Sequence, residues 1–215
     1  MVNAMKTCPT HVQQLVLLMT FVTAMPTHAI EEPAYTLIRT SDVFEVRQYA
    51  PYFVAEVVVP GPAADAGSQG FCLLGCYIFG KNKGGSKLEM TAPVTQTSIE
   101  PSAPVKLDMT APVTQAAAPG GFLVQFMMPK GYTLATLPEP LDARVKLREA
   151  PGNRVAVIRF SGSWSQNLYV EKLELLKSAL VKAGIATQGE PISSRYNSPF
   201  SLPFMRRNEI WLNLV

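Results

Sequence analysis

Histidine is almost missing from this chain. Its 215 residues hold two, His11 and His28, and both fall in a stretch that reads as an export signal. Lys6 precedes an apolar run from Leu15 to Met25 that is short for a bilayer span, and Pro26-Thr27-His28-Ala29 offers small residues where a signal peptidase cuts. Cleavage after Ala29 would send an imidazole-free chain to the periplasm, with membrane contact through residues 1–29 alone. Ser-His-Asp hydrolysis, a Cys-His pair, histidine general bases and histidine metal sites would then all lose their central group.

Cysteine and charge are also sparse. Cys8 lies ahead of the apolar run, unlike a lipoprotein cysteine, while Cys72 and Cys76 stand four apart in a predicted helix. At that spacing the Cα atoms are near the upper end of what a disulfide tolerates, so a strained bridge or two thiols fits better than a structural staple. The spacing is also wrong for C-x-x-C-H attachment, and two cysteines without histidine make a poor zinc site. Charged residues are 16% of the chain with a net charge of +3. Lys and Arg are scattered, which argues against a nucleic-acid footprint.

What is present is a repeat. KLEMTAPVTQ at Lys87–Gln96 recurs as KLDMTAPVTQ at Lys106–Gln115, with only Glu89 exchanged for Asp108. Thr and Val favour strands, whereas Pro93 and Pro112 cannot donate to a ladder, so each copy reads as an edge strand or a bulge and the pair as a hairpin with a long surface connection. Either a strand was duplicated without chemistry, or two loops line one cleft and present Met90 and Met109 to an apolar ligand.

The remaining pattern falls into halves of about 36–128 and 132–215. In the first, VFEVRQY and YFVAEVVV read as a strand pair turning at Ala50-Pro51, and a helix spans 63–79 on the spacing of Phe71, Leu74, Gly75 and Ile78. A strand follows at Phe122–Met128. In the second, RVKLRE and RVAVIRFS form a pair around Pro151-Gly152-Asn153, and a helix spans 165–183 with its stripe at Tyr169, Leu173, Leu176, Leu180 and Ala183 before Gly184. Strands at Pro191–Tyr196 and Glu209–Val215 close the chain around the Pro-rich loop NSPFSLPFMRR. Strand pair, helix, strand pair thus occurs twice. The expected fold is α+β, a twofold pseudo-repeat forming a distorted antiparallel β-barrel flanked by two helices, with the ligand site between the halves or between a helix and the sheet.

LLGCYIFGKN, both repeat copies, GFLVQFMMP, YTLATLPEPLDARVKLRE, RVAVIRFSGSW and RYNSPFSLPFMRRNE together resemble the SOUL heme-binding protein family, over about Tyr35 to Val215. The resemblance implies a heme or related porphyrin held in a shallow apolar groove by a non-enzymatic carrier or buffer, with no catalytic residue. Some family members ligate iron through histidine, a mode closed to the cleaved chain, so only apolar contact with a few basic residues transfers. It implies groove residues Leu74, Tyr77 and Ile78 on the first helix, Lys81 and Lys83 after it, and Arg206 and Arg207 in the last loop for the propionates. The metal ligand stays open, with Met90, Met109, Cys76 and Tyr77 the candidates by type. The protein partner stays unknown. Two other readings compete: an interaction module using the exposed PFSLPF loop, and an enzyme built on Glu56 in YFVAEVVV.

Overall fold

The computed structural model describes residues 31–99, 121–197 and 200–215. The export signal read over residues 1–29, both histidines, and the second repeat copy with Met109 lie outside the described residues. Among the described residues nine strands form one antiparallel sheet: β1 Tyr35–Thr40, β2 Glu45–Tyr49, β3 Tyr52–Pro60, β4 Val94–Ile99, β5 Gly121–Met127, β6 Lys146–Ala150, β7 Arg154–Phe160, β8 Thr187–Arg195 and β9 Asn208–Leu214. Two helices, α1 Ala63–Ile78 and α2 Gln166–Lys182, pack on it. The α+β reading and its curled sheet with two flanking helices are borne out.

The strand order β1-β2-β7-β9-β8-β4-β5-β3-β6 reads outward from β8 and β4 in the same way on both sides. Here the expected pairings need correction. β2 does not pair with β3, nor β6 with β7; β2 runs against β7 and β6 against β3. The reason lies at the two corners. The Tyr49 N–H donates to the Asn153 carbonyl at 2.9 Å, and a Cβ on Gly152 would stand 2.7 Å from the Tyr49 carbonyl oxygen. The corners therefore interlock, and each half hands its first strand to the other.

Register assigns the faces, because directly opposed residues point the same way. Val57 opposite Val124, and Ile210 opposite both Ile158 and Ser193, lie on the face that both helices cover. α1 packs Ala66, Leu74, Tyr77 and Ile78 onto β3 and β5. α2 packs Leu173, Leu176 and Leu180 onto β2, β7 and β9, each such leucine contributing about 2 kcal/mol on burial. The caps follow local chemistry: the Ser165 hydroxyl accepts from the Leu168 N–H at 3.4 Å at the start of α2, and Gly184 takes φ +67° just past its end.

The opposite face holds a buried ion cluster among aromatics. Arg47 grips Glu209 with both terminal nitrogens, at 3.0 and 3.2 Å, and donates from Nε to Glu45 at 2.7 Å. Glu209 also accepts from the Tyr196 hydroxyl at 2.7 Å, Trp211 Nε1 at 2.8 Å and Arg207 Nε at 3.0 Å. Burial alone would push Glu209 up, but Arg47, Arg207 and the Trp211 N–H outweigh it and hold the carboxyl below its ordinary value. The Tyr196 hydroxyl is driven up, first by burial and then by the Glu209 charge.

Candidate functional site: a groove between the helices

α1 touches the central strand β4 only at its edge and α2 lies over β2, β7 and β9, so the middle of the sheet is not fully covered. On the helix-covered face β4 and β8 present Gln96, Ser98, Ser193 and Arg195, side chains too short or too polar to seat a helix, and a trough remains between α1 and α2. Its main chamber, about 390 Å³, is floored by Phe122, Phe160 and Leu173 and closed by Trp164 and Tyr169. A second chamber of about 240 Å³ continues along α1, against Phe71, Cys72, Val94 and Val124. Gln96, Trp164 and Arg195 line both chambers, so the two form one elongated space. Its size is that of ordinary small-ligand sites, about 300–1,000 Å³.

The polar groups are held from below. Gln96 Nε2 donates to the Ala63 carbonyl in the first turn of α1 at 2.8 Å, and Gly67 leaves room for it: a Cβ there would meet Gln96 Oε1 at 2.7 Å and Arg195 Nη1 at 3.3 Å. Trp164 Nε1 donates to Asn208 Oδ1 at 2.8 Å, which fixes the indole at the end of β7. Two guanidinium groups rest on that ring, Arg195 at 4.7 Å and Arg206 at 4.6 Å from its centroid.

Arg195 differs from Arg47 and Arg207. Arg47 and Arg207 are matched to Glu209, and Arg207 to Glu32 as well. Among the described residues no carboxylate lies in ion-pairing range of Arg195 and no hydrogen bond is made by its guanidinium. Burial disfavours its charge and lowers its pKa. A desolvated guanidinium lacking a carboxylate and stacked on an indole at the trough is a ready partner for a ligand carboxylate or phosphate.

Of the residues singled out in the sequence, Cys76, Tyr77 and Lys81 line a separate hollow of about 590 Å³ between α1 and residues 140–145, and the others are dispersed. Leu74, Tyr77 and Ile78 are 0, 2 and 1% exposed and face the sheet. The Tyr77 hydroxyl donates to the Pro138 carbonyl at 2.9 Å, and burial, then Tyr132, pushes it up to about 12. Lys83 pairs with Glu139 at 2.7 Å on the surface, Lys81 is exposed beside the outer face of α1, and Met90 is exposed ahead of β4. Arg206 comes nearest the groove, as the second cation on Trp164, but lines neither chamber. Cys72 and Cys76 are unbridged and exposed, and Cys72 edges the smaller chamber. Glu56 is tied to Arg148 and Gln125, both at 2.7 Å, on the face away from the helices. Arg195, Trp164, Gln96 and Phe71 were missed by sequence reasoning. Alternation along SSRY was the available signal, since it sets Arg195 opposite to Ser194 and Tyr196.

A family model described as SOUL heme-binding protein matches residues 30–213. The chain is 30% identical over 171 residues to Heme-binding protein 2 of Homo sapiens, covering 79% of this chain and 77% of that protein. It is 29% identical over 172 residues to Heme-binding protein 2 of Mus musculus, with the same coverage. Among solved structures, the EcmrR C-terminal domain superposes with a TM-score of 0.55 at 10% identity, covering 84% of this chain and 98% of that one. A hydrolase from Listeria innocua superposes at 0.53 with 12% identity, covering 83% and 94%. These last two share the fold alone.

Proposed function

This chain belongs to the SOUL heme-binding protein family, and on that premise we propose that it binds heme or a related tetrapyrrole in the groove between α1 and α2. The observation that carries the placement is Arg195, the desolvated guanidinium that no carboxylate of the described residues matches. A porphyrin brings what the groove lacks: a flat apolar ring for Phe71, Phe122 and Trp164, and propionates for Arg195 and the Arg206 beside it. The protein acts as a carrier or buffer, without turnover and without a histidine ligand, since the sequence has no histidine beyond residue 28. The Tyr77 hydroxyl is committed to the Pro138 carbonyl, so iron coordination, where it occurs, falls to Cys72, which edges the smaller chamber. Export to the periplasm through residues 1–29 belongs to the same proposal.

The test is a titration of the chain cleaved after Ala29, which holds no histidine, with hemin, metal-free protoporphyrin and its dimethyl ester. Hemin and protoporphyrin should bind with similar affinity. Arg195→Gln should weaken both by about tenfold, the value of one hydrogen bond to a charged group. The ester, which has no carboxylate, should bind wild type and variant alike. Failure of hemin and protoporphyrin to bind removes the function, and an unchanged affinity in Arg195→Gln removes the site.

A further inference from the structure

The last loop carries apolar side chains where water should be. Phe200 is 95% exposed, Leu202 55%, Phe204 72% and Met205 66%, all within one turn of chain. The turn is braced: Pro203–Met205 forms a short 3-10 helix, the Gly162 N–H donates to the Pro203 carbonyl at 2.9 Å, and Arg206 Nε donates to the Ser201 carbonyl at 2.8 Å. These side chains are therefore presented outward by a fixed scaffold. From Arg195 to Asn208 the sequence has no acidic residue, while Arg206 stands at the base of the turn. Arg159, at the end of the strand leading into the bracing turn, is exposed.

We propose that the Phe200–Met205 turn inserts into the interfacial layer of an anionic lipid bilayer and holds the mouth of the groove against it. An apolar tip above a cationic base has the polarity of that layer: the side chains enter the acyl boundary, and the guanidinium groups stay among the headgroups. A protein partner would have to cover about 800 Å² a side for a stable interface, whereas this apolar surface is a narrow tip with cations at its root. The groove opens at the same place. Asn197 lines the smaller chamber and accepts from the Arg207 N–H at 2.6 Å, and Trp164, which walls both chambers, carries Arg206. The purpose rests on the groove being a tetrapyrrole site, because such a ligand partitions into lipid and would enter from there; lipid contact itself does not rest on it.

The experiment leaves the ligand out, so that it fails separately from the heme reading. Phe204→Trp in the full chain is mixed with vesicles of phosphatidylcholine and phosphatidylglycerol, with or without brominated acyl chains. This reads the turn itself, whatever residues 1–30 contribute to binding. The added indole should shift to the blue and be quenched by the brominated lipid, less so at high salt and on phosphatidylcholine alone. Changing Leu202, Phe204 and Met205 together to Ser should lower the vesicle partition coefficient attributable to the turn by about tenfold or more, with hemin affinity in vesicle-free solution unchanged. Indole emission unmoved by anionic vesicles overturns the proposal. So does a loop-dependent complex with a purified protein in the absence of any vesicle response.

Discussion

Arg47→Met is expected to remove about 3–5 kcal/mol of folding stability, a large part of the roughly 5–15 kcal/mol that holds an ordinary domain together. The side chain is 2% exposed and Glu209 beneath it is fully enclosed. Methionine fills much of the same space, so the loss is electrostatic: a buried carboxylate keeps Tyr196, Trp211 and Arg207 but forfeits its bidentate partner. Changing both residues, Arg47→Met with Glu209→Gln, should recover part of the loss because no charge is then stranded. Urea midpoints of the three proteins decide the matter, and a wild-type midpoint for Arg47→Met would refute it. The pH dependence has a definite sign. Glu209 titrates below its ordinary value of 4.5 in the folded chain, so its contribution is complete above that value. It is lost as pH falls through the lower folded one. Glu209→Gln should flatten the acid limb of the stability curve and leave its neutral region level.

A methyl group added to α1 should have different consequences three residues apart. Gly70→Ala sets a Cβ 2.6 Å from Val124 Cβ and Cγ2. Val124 is a fully buried β-branched residue in the middle of β5, and it has no free end to swing aside. Overpacking of this kind costs about 1–3 kcal/mol, and at 2.6 Å the upper end applies, so the roughly 1 kcal/mol that Ala gains over Gly in a helix is outweighed. The net expectation is a loss of about 1–2 kcal/mol. Gly67→Ala instead meets the tip of Gln96 and the end of Arg195, both flexible, so its stability should be nearly unchanged while porphyrin affinity falls as those two are displaced. Thermal melts and porphyrin titrations of both variants separate the two, and equal melting temperatures for them would contradict this packing.

The contrast bears on what the sequence disclosed. The stripe on α2 was legible because Leu173, Leu176 and Leu180 are buried against one sheet face and Gly184 marks the end. β1 was not, since all six of its residues are exposed at the sheet edge and no alternation of burial marks the strand. The start of β8 was obscured by Gly189 and Pro191, which sit in the irregular register between Gln188 and Ile192. On α1 the apolar periodicity was read correctly, but the same residues were assigned to the groove. A stripe that packs a helix onto a sheet is spent on that contact, so the side chains that line the groove belong to the helix flank and to the strands left uncovered. Arg195 and Gln96 lie on adjacent central strands nearly a hundred residues apart, and only the β4–β8 pairing brings them together.

That each half hands its first strand across the molecule also limits how the chain can come apart. A fragment ending after β5 would lack β6 beside β3, and one starting at β6 would lack β2 beside β7. Neither piece completes its own sheet, so the two are obligate complements. Unfolding should proceed as a single transition, and nicking the connection between β5 and β6 should leave fragments that survive only as a reassembled pair.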